Sequence, residues 1–97
     1  MPRYLIERKF SVTEQQMPQV GRRSKELTIE EFPAIVWEHS HVVVYEDGMA
    51  GTYCVYAAPD EETIMKHAIA LGQHDYTIHE IVGDVTPDDF PLDGAAA

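Results

Sequence analysis

The chain has 97 residues, 44% of them hydrophobic and 25% charged, the composition of one folded domain rather than of a disordered segment. A formal net charge of −10 excludes the basic surface that a phosphate backbone rewards, and Arg22, Arg23 and Lys25 form the one basic cluster. No run approaches the ~20 apolar residues of a membrane helix. Met1-Pro2-Arg3-Tyr4 lacks the apolar core of a secretory signal, and a single cysteine cannot form an internal disulfide. The expectation is a cytoplasmic protein with no nucleic-acid and no membrane partner, close to the size at which oligomerisation adds burial.

In chain order, Tyr4 to Phe10 reads as a first strand with a charged centre at Glu7-Arg8-Lys9. Thr13 with Gln16 three residues later suits a helix start. Met17, Val20, Ser24 and Leu27 then recur at helical spacing, with Pro18 fitting a first turn. Ile35 to Tyr45 is the strongest strand signal, Asp47-Gly48 centres a turn, and Thr52 to Tyr56 is the returning strand. Pro59-Asp60-Glu61-Glu62 suits the exposed N–H groups of a helix start. Ile64, His67, Ala68 and Leu71 mark that helix's buried face, Glu62 and Lys66 pair outside, and Gly72 stops it. Tyr76 to Val82 is a last strand, so residues 1–87 make one domain and 88–97 an acidic, irregular tail.

The order is β-α-β-β-α-β, which predicts an α+β, ferredoxin-like fold: a four-stranded antiparallel sheet with two helices on one face. The other sheet face needs cover, and a second copy is the simplest cover. A homodimer is expected.

The residues richest in chemistry lie between Trp37 and Gly72. His39, Cys54 and His67 supply two imidazoles and a thiol, a donor set that suits nickel, zinc or copper better than magnesium or calcium. Strand alternation places Trp37, His39 and His41 on one face, which makes His41 a further, weaker candidate. A two-residue turn at Asp47-Gly48 would set Cys54 across from His41, whereas a shift of one residue would send it to the opposite face; the sequence leaves this open. His67 reads as a hydrogen-bonded core residue as readily as it does as a ligand or a general base taken together, and Cys54 reads most simply as a small buried hydrophobe. Neither CxxC nor HExxH occurs, so any metal site has to be assembled in three dimensions. Glu7 and Glu80 are the carboxylates that fall inside predicted strands, while His74 and His79 look peripheral. No glycine-rich phosphate loop or dinucleotide fingerprint supports a nucleotide cofactor.

The pieces Met1-Pro2-Arg3-Tyr4-Leu5-Ile6-Glu7-Arg8, Trp37-Glu38-His39-Ser40, Tyr53-Cys54-Val55-Tyr56, Ala58-Pro59-Asp60-Glu61-Glu62 and His67-Ala68 occur in this order. In combination they resemble a family of small bacterial proteins of unknown function that includes a nickel-binding ferredoxin-like protein. The resemblance implies a ferredoxin-like fold, a dimer and a capacity to bind nickel, with His39, Cys54 and His67 as the matching candidates. The leading expectation is a metal-binding protein. Two alternatives stand beside it. One is a small dimeric α+β barrel enzyme whose pocket, lined by Trp37, Tyr53 and Tyr56 with His67 as base, takes a hydrophobic or aromatic molecule. The other is a protein-interaction module.

Overall fold

The computed structural model of the chain describes residues 1–92. Six main elements follow in the expected order: β1 (Arg3–Lys9), α1 (Met17–Glu30), β2 (Val36–Val44), β3 (Ala50–Ala57), α2 (Glu61–Leu71) and β4 (Asp75–Ile81). The four strands form one sheet in the order β2-β3-β1-β4, with every neighbouring pair antiparallel. β3 is inserted between β1 and β2, the split arrangement that β-α-β-β-α-β chains adopt. A short 3-10 turn at Pro87–Asp89 lies where the tail was expected to begin. The last five residues of that tail, 93–97, fall outside the described residues.

Strand alternation divides the sheet into an inner and an outer face. Tyr4, Ile6 and Arg8 of β1 pair across to Tyr56, Cys54 and Thr52 of β3, and this face is buried under the helices. The core joins Tyr4, Ile6, Ile35, Cys54, Tyr56 and Ile64, with Phe32, Trp37, Tyr76 and Ile78 packed against it. A second cluster of Phe10, Met17 and Ala50 closes the far end. Ser24 of α1 and His67 of α2 both reach the Tyr56 side chain, which places the two helices on the same face.

The helix ends form as their residues dictate. Pro18 sits in the first turn of α1, where its missing N–H costs nothing. Asp60 caps α2 by accepting from the Thr63 backbone N–H at 2.8 Å and the Thr63 hydroxyl at 2.7 Å. Gly72 ends α2 at φ 119°, a conformation that side chains resist.

The β2–β3 hairpin differs from a two-residue turn. The Gly48 N–H donates to the Tyr45 carbonyl at 2.9 Å, and the Tyr45 N–H donates to the Met49 carbonyl at 2.9 Å. The loop is therefore Glu46-Asp47-Gly48, with Gly48 at φ 82° supplying the left-handed residue such loops require. One extra loop residue moves the register, and Cys54 pairs with Ser40 rather than with His41.

Candidate functional site

The predicted ligands stand on two sides of the sheet. β2 is irregular between Trp37 and His39: Trp37 pairs with Tyr56, whereas His39 pairs with Val55. Glu38 is the extra residue of a β-bulge, and one extra residue reverses every later side chain on the strand. Trp37 and Ser40 consequently share the inner face, where the indole N–H donates to the Ser40 hydroxyl at 2.8 Å. His39 and His41 point to the outer face, opposite Val55 and Tyr53. The expectation that Trp37, His39 and His41 share a face is corrected by this bulge. Unbroken alternation cannot anticipate it.

Cys54 and His67 belong to the inner layer, away from His39. The Cys54 thiol is buried and donates to the Thr52 hydroxyl at 3.3 Å. His67 is fully buried with both ring nitrogens engaged: Nδ1 lies 3.3 Å from Arg8 Nη2, and Nε2 lies 3.4 Å from the Ser24 hydroxyl and carbonyl. A guanidinium can only donate, so Nδ1 accepts and Nε2 carries the proton. Burial, with the Arg8 charge behind it, pushes the His67 pKa down to about 4. The ring is neutral at pH 7. Within the chain, then, register does not bring His39 to Cys54 and His67. Among the described residues, no three of His, Cys, Asp or Glu stand close enough together to hold a metal ion.

On the inner side the unexpected residue is Arg8. The sequence shows only a charged strand centre, but alternation turns Glu7 and Lys9 outward and Arg8 inward, where it is 1% exposed. His74 supplies a second acceptor: its Nδ1 is 2.8 Å from the Gly72 carbonyl and must donate, so its Nε2 accepts from Arg8 Nη1 at 3.3 Å. Stacking on Phe10 at 4.8 Å between ring centroids holds the imidazole in place. Burial lowers the His74 pKa as well. The Arg8 guanidinium lies 5.6 Å from the centre of the Tyr56 ring, and burial, then the neighbouring Cys54, pushes the Tyr56 phenol up to about 12. His74 was legible as a loop histidine; nothing local marked it as a partner of Arg8, 66 residues away.

Beside this cluster lies a cavity of about 370 Å³ between α1 and the inner face of β2 and β3. Trp37 and Tyr56 line it, as the enzyme alternative expected. Tyr53 does not, because it faces outward. His67 is not among the lining residues, which leaves the cavity without the general base that alternative assigned to it.

The outer face carries a different set. His39 and His41 are exposed, with rings 5.4 Å apart in an edge-to-face arrangement. The Glu7 carboxylate accepts from the Tyr53 hydroxyl at 2.8 Å and the Tyr45 hydroxyl at 3.2 Å. Tyr53 is pushed up to about 12, chiefly by that bond. Arg3 bridges Glu38 at 2.8 Å and also Asp84. Pairing aligns His39, Val55, Leu5 and His79 in one row from edge to edge. Unlike the inner histidines, His39 and His41 keep ring nitrogens available to a ligand, since neither makes a hydrogen bond among the described residues.

Comparison with known proteins agrees with this architecture. A de novo designed protein, Foldit4, superimposes with a TM-score of 0.54 at 13% sequence identity, covering 87% of this chain and all of that one; the likeness is one of fold alone. No curated protein matches the chain. The family described as "Nickel responsive protein SCO4226-like" matches residues 4–81, from the second residue of β1 to the last of β4. Since that match spans the whole sheet and both helices, the chain belongs to the nickel responsive SCO4226-like protein family.

Proposed function

We propose that this protein binds nickel as part of a nickel response, and that His39 and His41 are the ligands through which it does so. The observation that carries this reading is the pair of exposed imidazoles, 5.4 Å apart on the outer face of an edge strand, in a chain of a nickel-responsive family. Imidazole nitrogen suits nickel, as it suits zinc and copper. A net charge of −10 gathers cations around the surface without choosing among them. Cys54 and His67 take no part in this reading, because a buried Arg8 beside His67 opposes a second cation.

Two imidazoles leave coordination incomplete, and a homodimer supplies a natural third. Stacking a second copy on the uncovered outer face, about a two-fold axis parallel to the strands, lays β2 of one subunit over β4 of the other. The row His39–Val55–Leu5–His79 then meets its own reverse. The partner's His79 arrives at the edge that carries His39 and His41. Sheets stacked face to face sit about 10 Å apart, a gap that facing side chains can span. We place such a dimer in the cytoplasm.

The test is calorimetric nickel titration of tag-free protein, with sedimentation to fix the assembly. Saturable binding is expected for wild type and for Cys54→Ser, with loss in the His39→Ala/His41→Ala double variant and weakening in His79→Ala. Undiminished binding by the double variant, or a thiolate-to-nickel absorption band that disappears in Cys54→Ser, would overturn the assignment.

A further inference from the structure

The inner cavity raises a question that the outer histidines do not answer. Arg8 is a permanent charge, it lines the cavity, and it is 1% exposed. Among the described residues no carboxylate lies within 4.0 Å of it. Its Nε is the one buried side-chain nitrogen or oxygen there without a hydrogen-bond partner. Buried charges are ordinarily paired, because removal from water is expensive and neutral acceptors offset only part of that cost. Here the two acceptors are neutral imidazoles, one at each terminal nitrogen of the guanidinium. Among the described residues, no carboxylate supplies the compensating negative charge.

We propose that the cavity between α1 and the inner face of β2 and β3 binds a small organic monocarboxylate, its anionic end against Arg8 and its apolar body toward α1. The walls fit that division. Phe10, Met17, Val20, Trp37, Val42 and Leu71 give an apolar lining, while Ser24 and Thr52 add hydroxyls, Thr52 as the cross-strand partner of Arg8. A volume of about 370 Å³ lies at the lower end of the range that holds small ligands. One guanidinium matches one negative charge, and a carboxylate accepts its planar fork in a bidentate manner. Glu14 is the one acidic residue of the lining and opposes a more highly charged anion such as phosphate. The cavity remains accessible because α1 does not cover β2: Val42, on the inner face, is 53% exposed.

Trp37 is the only tryptophan and lines the cavity, so its fluorescence reports on this site and not on the outer face. Metal-free protein is titrated with octanoate and phenylacetate, with octanol and phenylethanol as uncharged counterparts, and with inorganic phosphate. A saturable change is expected with the carboxylates, at least tenfold weaker with the alcohols and absent with phosphate. Arg8→Met should erase the difference between acid and alcohol. Should that variant fail to fold, Gly21→Leu serves instead. Gly21 lines the cavity and a Cβ there meets nothing within 4 Å, so the leucyl side chain would intrude on the apolar end of the cavity and weaken the carboxylate response at least tenfold. No response to any carboxylate, or equal affinity for acid and alcohol, would overturn the proposal and leave Arg8 a structural cation. An equal response to phosphate would overturn the choice of anion. Because the titrations contain no nickel, they succeed or fail independently of the outer-face reading.

Discussion

Acidification from pH 7.5 to pH 5 is expected to destabilise the fold through His67, before the carboxylates contribute. Burial and the adjacent Arg8 charge hold this imidazole at about 4, against an ordinary 6.5. Between those values the unfolded chain binds a proton that the folded chain excludes, so stability rises with pH across that interval. The contribution is complete above pH 6.5 and is lost progressively as pH falls toward 4. Single-site linkage gives a loss of at most about 2 kcal/mol at pH 5 relative to pH 7.5, solvent screening reducing the figure. That is a substantial part of the 5–15 kcal/mol typical of a domain. His74, also lowered by burial, acts in the same direction. Asp47 and Asp60 are held below 3.8 and Glu38 below 4.5 by their partners, so their contributions fade only at lower pH.

The assay is urea unfolding followed by circular dichroism at pH 7.5, 6 and 5, on wild type and His67→Asn. The asparagine carbonyl can occupy the place of Nδ1 and still accept from Arg8, but it does not titrate. Wild type should lose stability faster than the variant, by close to one proton's slope near pH 5. Parallel pH dependence in the two proteins would refute the view that His67 is a neutral, buried acceptor.

Gly51→Ala should destabilise by about 1–3 kcal/mol, because the added Cβ would meet the Arg8 carbonyl and sit 2.6 Å from the Tyr45 ring; a lower urea midpoint at unchanged slope checks this. Gly21→Ala should stabilise by about 0.5–1 kcal/mol and so raise the same midpoint, since it replaces a glycine inside α1 where a methyl meets nothing within 4 Å. Asp60→Ala should cost about 0.5–2 kcal/mol by removing the cap of α2. Glu7→Gln should bring the Tyr53 phenol from about 12 back toward 10, read by ultraviolet titration.

Much of the architecture is written locally. Strand-favouring residues from Tyr4 to Phe10 mark β1, helical spacing of Met17, Ser24 and Leu27 marks α1, and Asp60 and Gly72 bracket α2. Such signals depend on neighbours a few residues apart, and the element order they give leads directly to the sheet β2-β3-β1-β4. The candidate site was legible only in its ingredients. His39, His41, Cys54 and His67 stand out in the sequence for their ligand chemistry, but their grouping rested on register. Register turned on two single-residue events, the third loop residue at the hairpin and the bulge at Glu38. Because side chains alternate with a period of two, either event alone reverses a face.

The sequence by itself therefore determined the elements, their order and the acidic charge, all consequences of composition and short-range spacing. Only the tertiary structure decided that His39 and His41 face away from Cys54 and His67. It alone revealed that Arg8 is buried between His67 and His74 with no carboxylate within 4.0 Å among the described residues. Those contacts join residues 59 and 66 positions apart. Pairing and packing bring such residues together, and no local pattern in the chain encodes the meeting.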